Sequence, residues 1–332
     1  MENYLQKFIK TGSIKMNDNK PFFKMLDEIC EERGITQEKI SFGWIRKLTK
    51  NNESHMIIRY EFDLNSAVSY EIAKDKYATY AVLKNKNIPI VEHQAIFNPV
   101  SRSEYFDENF RVILELGLKQ YGKLVIKAND SCKGKEVFLI DNILDAAAVV
   151  EKLFRENNHP LVVVSPFVDI KYEYRAVYLD GEIVYLYKKE KPYVIGDGAQ
   201  TLNELISLKQ DSVEVLMDID KNLNLEYIPK EGEKITYSWK HNLSGGAGAV
   251  KVDSTDPNYE KIITLAKDAG KAIGIRFASV DVILDNNDEI SIMEINGSVC
   301  MNKFSEIVED GYNIAKNIYA KAVDKMFNID DM

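Results

Sequence analysis

Two carboxylates and an amide near the C-terminal end are spaced so that a β-hairpin would gather them on one face. Residues 277–296 read as two β-rich runs separated by the turn formers Asp285-Asn286-Asn287-Asp288. Asp281 and Glu294 are equidistant from the Asn287–Asp288 bond, so a tight turn there seats one directly opposite the other. Opposed residues share a face, and Asn296, two beyond Glu294, joins them. Like charges opposed across a ladder destabilise a sheet unless something cationic sits between them. Oxygen ligands of this kind suit Mg²⁺, which takes carboxylates together with phosphate oxygens and water. The other face carries Val280, Val282, Leu284, Met293 and Ile295, a dry side to pack. The residues allow two readings: a metal–nucleotide site on a rigid hairpin, or a solvated acidic face.

A second group of candidates surrounds Lys127, which ends an apolar strand and enters the polar loop Ala128-Asn-Asp-Ser-Cys-Lys-Gly-Lys-Glu-Val137. A lysine entering such a loop can hold phosphates as a point charge while loop N–H groups supply further donors. The alternative is a plain hairpin with solvated lysines. Residues 117–124 nearly fit a P-loop, but Leu124 stands where Ser or Thr should bind Mg²⁺, and the glycines precede a strand rather than open a helix. That match is set aside. The small residues of 242–249 let backbone N–H groups approach an anion, or form only a flexible turn. His241 beside them is a general base or a satisfied loop histidine.

At 332 residues the chain exceeds the usual single-domain size, so two or three lobes are expected. No apolar run approaches the roughly 18 residues of a membrane span, and the N-terminus lacks the apolar core of a signal peptide. Cys30, Cys132 and Cys300 are widely spaced without a CxxC, and the four histidines form no metal-spacing motif. This argues against a disulfide framework or a zinc site and fits a reducing cytoplasm. A net charge of −9 excludes a general nucleic-acid binder. It does not exclude ATP, which a few lysines and backbone N–H groups hold locally.

The patterning predicts helices over 18–33, 66–84, 103–120, 143–156, 257–273 and 306–327, with a short one from Thr201. Strands are expected over 56–62, 88–91, 123–127, 136–140, 161–167 and 234–239. A hairpin over 172–187 turns at Asp180-Gly181. Antiparallel hairpins mixed with helices, without strict βαβα alternation, make the class α+β.

The ordered series Asp75-Lys76, Lys127 with its loop, 161–168, Tyr172-Glu173-Tyr174-Arg175, Val194-Ile-Gly-Asp-Gly198, Asn242-Leu-Ser-Gly-Gly246 and Asp281…Glu294-x-Asn296 resembles the ATP-grasp carboxylate–amine ligases. It looks closest to the ATP-grasp module of cyanophycin synthetases and fused glutathione synthetases, over roughly residues 66–325. The resemblance implies an ATP-grasp fold, two α+β lobes gripping ATP. It implies a small pre-grasp region over 1–65, the first part with the phosphate loop over 66–168, and the C-terminal lobe with the metal site over 169–332. It implies that Lys76 and Lys127 hold the ATP phosphates and that Ser131, Lys133, Gly134 and Lys135 form the loop closing over them. Ser165, Pro166, Phe167 and Val168 match the interlobe hinge at the adenine edge, Glu173 the acid on the ribose, and Asp281, Glu294 and Asn296 the Mg²⁺ ligands. Arg175, Lys188 and Lys189 fall near the transferred phosphoryl, and Asn242, Ser244, Gly245 and Gly246 near substrate. From the residues alone, Arg175 equally suits a structural ion pair and Lys188-Lys189 a solvated strand end. The chain departs from the pattern at Ser165, which replaces the hinge acid, and at Ser279, where some relatives carry an arginine.

The implied activity is an ADP-forming ligase that makes a peptide or amide bond through an acyl phosphate. ATP and one or two Mg²⁺ ions, replaceable by Mn²⁺, are its cofactors, and amino acids or peptide-like molecules its carboxylate and amine. A small-molecule kinase on the same scaffold and a non-catalytic nucleotide-binding module are the alternatives. No nucleic acid or membrane partner is expected. Similar proteins commonly form homodimers. The chain has room for neither the second ligase half of the cyanophycin enzymes nor the upstream domain of the fused enzymes, so one bond per turnover is expected.

Overall fold

Apolar residues at every second position, broken by Asp-Gly and Asn-rich turns, give antiparallel strands, and among the described residues of the computed structural model every ladder between strands is antiparallel, with one isolated parallel bridge at Ile90 and Ile292. The structure describes residues 20–99, 110–131, 136–156, 158–208, 219–220 and 222–329. Its first elements are α1 (Pro21–Arg33), β1 (Thr36–Ile40), β2 (Ile45–Lys50), β3 (Glu53–Ile58) and β4 (Glu61–Phe62). There follow α2 (Ala67–Lys74), α3 (Lys76–Asn85), β5 (Gln94–Phe97), α4 (Phe110–Tyr121), β6 (Leu124–Ala128), β7 (Val137–Ile140), α5 (Ile143–Arg155) and β8 (Leu161–Pro166). Then come β9 (Ile170–Leu179), β10 (Glu182–Glu190), β11 (Tyr193–Ile195), α6 (Leu202–Leu208), β12 (Lys234–Thr236) and β13 (Gly248–Lys251). The last are α7 (Tyr259–Ile273), β14 (Phe277–Asp285), β15 (Ile290–Asn296), α8 (Asn302–Ile307) and α9 (Gly311–Met326).

The described residues sort into two compact units, one from the spans 1–65 and 298–332, the other from 66–297. In the first, β1-β2-β3-β4 form a meander, and α1 buries Phe22, Met25, Leu26, Ile29 and Cys30 before ending at the left-handed Gly34. The C-terminal segment was expected to belong to the metal-bearing lobe. Instead α8 and α9 carry Phe304, Tyr319 and Val323 into this core, where Tyr319 packs edge-on to Phe22 and stacked on Phe62. The single helix expected over 306–327 is two, because Asp310 takes a positive φ of 55° before Gly311.

The second unit holds a five-stranded sheet, β13-β10-β9-β14-β15, and a four-stranded one, β5-β8-β6-β7, with the small pair β11-β12. One face of the five-stranded sheet, with Ala176, Tyr178, Val280, Val282 and Ile295, packs on α7 and on Ala73 and Leu83 of α2 and α3. In the four-stranded sheet Ile126, Val162 and Val164 pack with Leu114 of α4 and Val150 and Leu153 of α5. Alternation therefore puts Lys127, Val163 and Ser165 on the helix-free face. The expected helix 66–84 is split at Asp75, whose extended backbone ends α2 and whose Oδ1 accepts the Ala78 N–H at 2.7 Å to start α3. The expected strand 88–91 reduces to a bridge: Val91 donates to the Ile292 carbonyl, and Ile292 to that of Pro89. Of the helix expected over 103–120, residues 103–109 lie outside the described residues.

Candidate active site

The β14–β15 hairpin opposes Asp281 to Glu294 and Ser279 to Asn296, but not through a symmetric tight turn. Residues 285–289 make a longer turn, in which Asp285 Oδ1 accepts from the N–H groups of Asn287 and Glu289. Met293 is then an extra residue in β15, since Val280 pairs Ile295 and Asp281 pairs Glu294, yet Val282 pairs Ile292. The bulge switches parity. Ile290, Ile292 and Ile295 all pack in the core, and Glu294 and Asn296 take the opposite face. Met293, expected among the core residues, leaves them for a cluster with Val91, Val168, Ile170 and Ile283.

On the four-stranded sheet, buried Lys127 stands at the end of β6. Burial, then the charge of Lys76, push its ammonium down to about 8, while Glu294 acts in the opposite sense. The hairpin acid and the strand-end lysine therefore lie within each other's field. Lys76, first residue of α3, donates to the carbonyls of Asn129 at 3.1 Å and Ser131 at 2.7 Å. Asn129 Oδ1 accepts the Tyr77 N–H, and Ser131 Oγ donates to the Ala128 carbonyl. The loop after Lys127 is thus fixed at its start. Lys133, Gly134 and Lys135 lie outside the described residues.

Three strands and a loop converge on a buried ion cluster. Register sets Arg175 of β9 opposite Asp281 of β14, and Lys189 of β10 opposite Glu173 of β9. Arg175 Nε and Nη2 donate to Asp281 Oδ1 and Oδ2 at 2.7 and 2.6 Å. Lys189 Nζ bridges Asp281 Oδ2 at 3.0 Å and Glu173 Oε1 at 2.5 Å. Burial works to raise the pKa of Asp281, but Arg175 and Lys189 outweigh it and hold the carboxyl well below the carboxylate range. Glu173 is raised, since burial outweighs Lys189 there. His241 Nδ1 stands 3.6 Å from Glu173 Oε2, and burial, followed by Lys191 and Lys189, pushes its ring down to about 4, leaving it neutral.

At the expected hinge, Ser165 is buried, its Oγ 2.9 Å from Nδ1 of His93. Burial, then Lys127, keep that histidine neutral. Pro166, Phe167 and Val168 are half-buried. Phe167 donates its N–H to Lys123 and packs on Trp239, while Val168 joins the apolar patch of Ile283 and Met293.

Two expectations are corrected. Lys188 pairs with Tyr174 on the opposite face of β10, its ammonium 4.5 Å from the Tyr172 ring centroid, so strand alternation separates it from Lys189. The N–H groups of Gly245, Gly246 and Ala247 donate to the carbonyls of Asn242, Leu243 and Asn242, so these three do not form an anion nest. Gly246 is there for space: its φ is +91°, and a Cβ would collide with the Tyr237 hydroxyl. Asn242 is half-buried, and Ser244 lies in a 3₁₀ turn, Leu243–Gly245.

Sequence reasoning missed the Ile283–Met293 patch, the cap at Asp75, and the attachments of His93 and His241. Only the patch left a signal, in the parity change from Ile290 and Ile292 to Ile295.

Among the described residues no group of three or more His, Cys, Asp or Glu side chains is arranged to hold a metal. Glu294 and Asn296 nevertheless fit Mg²⁺: Asn296 Nδ2 donates to Glu294 Oε1 at 3.1 Å, which leaves hard oxygen donors on both. Asp281 has fewer lone pairs to offer, because three N–H contacts already use its two oxygens.

No family model matches the chain. It is 25% identical over 254 residues to the glutathione biosynthesis bifunctional protein GshAB of Clostridium perfringens, covering 69% of this chain and 32% of that protein. It is 24% identical over 288 residues to the cyanophycin synthetase of Crocosphaera subtropica, covering 78% of this chain and 31% of that one. The chain thus spans about a third of the length of these curated relatives. A bifunctional glutathione synthetase from Pasteurella multocida matches its fold with a TM-score of 0.56 at 17% identity, over 92% of this chain and 45% of that structure.

Proposed function

We propose that this chain, whose α+β fold is that of the ATP-grasp ligases, joins a carboxylate to an amine at the expense of ATP, forming ADP and an amide or peptide bond. The observation that carries the reading is that buried Lys127 of one sheet feels the charge of Glu294 on the acidic hairpin of the other. The relatives named glutathione biosynthesis bifunctional protein and cyanophycin synthetase support amino acids or peptide-like molecules as substrates.

A substrate carboxylate oxygen attacks the γ-phosphorus, the bond from that phosphorus to the β,γ-bridging oxygen breaks, and ADP leaves. The amine nitrogen then attacks the acyl carbon, phosphate departs with the bonding pair, and the nitrogen loses a proton. Phosphoryl transfer asks the protein mainly for positioning and charge. Lys127 meets the phosphates as a buried ammonium, and Lys76 holds the entry of the phosphate loop beside it. Arg175 and Lys189 supply positive charge where the phosphoryl moves. Val168 and Met293, half-buried over Ile283, offer an apolar surface for the base. Glu294 and Asn296, with Asp281, would hold Mg²⁺, which when bound neutralises phosphate charge. Among the described residues no helix is long and apolar enough to cross a membrane, and free Cys30 and Cys300 accord with a cytoplasmic enzyme.

The test is phosphate release from MgATP across pairs of amino acids and small peptides, with products weighed by mass spectrometry. A dehydrated adduct of two substrates and ADP formation that needs both support the ligase. A phosphorylated single substrate, or turnover indifferent to amine, overturns it.

A further inference from the structure

We propose that Asp281 is the standing counter-ion of Arg175 and Lys189, and that it becomes open to a divalent metal only when phosphate oxygens have drawn those two cations away. Metal then enters with the nucleotide and not before it. The inference rests on the ligase reading for the identity of the anion, but its first half concerns the free protein alone.

Three observations carry it. The pairing is dictated by strand register, since Arg175 is the cross-strand partner of Asp281, and Lys189 that of Glu173 on the same face. A carboxylate offers about four lone-pair directions, and three donors at 2.6 to 3.0 Å fill most of those on Asp281. Finally, the cluster presents its positive member outward. The Arg175 side chain is 21% exposed, against 2% for Asp281, 4% for Lys189 and 12% for Glu173. An approaching metal ion therefore meets a guanidinium first, and an approaching triphosphate is drawn to it.

Every charged group facing Asp281 enters the balance. Arg175 and Glu173 come from β9, Lys189 from β10 and Glu294 from β15, while His241 is neutral. Arg175 and Lys189 offset Asp281 and Glu173, and Lys127, which feels the charge of Glu294, offsets the third carboxylate, so the region has no net negative charge to attract a dication. A phosphate chain reverses this by forming charge-assisted hydrogen bonds to Arg175 and Lys189. Asp281 is then left with unused lone pairs beside Glu294 and Asn296.

Mn²⁺ binding followed by electron paramagnetic resonance tests this on the full chain. The nucleotide-free wild type is expected to bind Mn²⁺ no tighter than millimolar, and the protein with a non-hydrolysable ATP analogue at least about a hundredfold tighter. Lys189→Met frees one lone pair of Asp281 Oδ2, which Arg175 Nη2 still contacts, and is expected to tighten metal-alone binding about tenfold. Micromolar Mn²⁺ binding by the nucleotide-free wild type, lost in Asp281→Asn, overturns the inference. So does a folded Lys189→Met protein with unchanged metal-alone affinity. If Lys189→Met does not fold, the two wild-type titrations still decide. If the analogue does not bind at all, the ligase reading fails, while the metal-alone titrations still judge the masking of Asp281.

Discussion

Lys76 donates to the Ser131 carbonyl at 2.7 Å, tying the first residue of α3 to the loop that follows Lys127. A cation at a helix N-terminus is opposed by the macrodipole, so carbonyls of the loop answer a charge that its own helix disfavours. Together Lys76, the start of α3 and Lys127 make one positive region, poised for a polyanion.

Asp75 sets that arrangement, because its cap decides where α3 begins. Asp75→Ala is expected to cost about 1 kcal/mol of stability and to raise the KM for ATP more than it lowers kcat. Urea unfolding together with steady-state kinetics checks both. An unchanged KM would detach Lys76 from nucleotide binding.

Neighbouring lysines on β10 should behave in opposite ways. Lys189→Ala removes a buried donor shared by Asp281 and Glu173, and a loss of about a hundredfold or more in kcat is expected. Lys188→Ala, on the other face and away from the ion cluster, should stay within about threefold of wild type in kcat. Equal losses in kcat/KM would contradict the strand alternation.

Glu294 and Asp281 face each other yet should fail differently. Glu294→Gln is expected to abolish turnover while unfolding free energy moves by no more than about 0.5 kcal/mol. Asp281→Asn strands the buried Lys189 and the half-buried Arg175 and should cost about 3–5 kcal/mol. Chemical denaturation of the two variants checks the contrast. An active Glu294→Gln enzyme would remove the metal assignment.

The depressed Lys127 gives nucleotide binding a pH dependence of fixed sign. As pH rises through about 8, the free protein loses this ammonium, whereas a bound phosphate keeps it protonated. Affinity should therefore be flat below that value, fall by up to about tenfold per pH unit above it, and take up a proton on binding there. Calorimetry in buffers of different ionisation heat reads the proton. Lys127→Arg should flatten the profile.

The sequence made the opposition of Asp281 and Glu294 legible because equal spacing from a turn is a local property. The structure reaches the same opposition by an offset turn and an extra residue. Lys127 was legible for a similar reason, since a strand end leading into a polar loop is visible in one short segment. The split at Asp75 was hidden within an unbroken apolar stripe from Val68 to Leu83. Lys188 and Lys189 read as a pair because adjacency in sequence was taken for adjacency in space. The ion cluster could not be foreseen, for Glu173, Arg175, Lys189, His241 and Asp281 meet only through register across three strands and a loop. The place of residues 298–329 was equally hidden, since their core partners, Phe22 and Phe62, come from the other end of the chain.

Met293 marks where the hairpin can be rebuilt. The turn ahead of it lies at the far tip, so a segment spliced in there, such as a reporter peptide, would leave the downstream pairing undisturbed. Removing Met293 alone would straighten the ladder, with Ile292, Glu294 and Ile295 left in plain alternation and the carboxylate still on its own side.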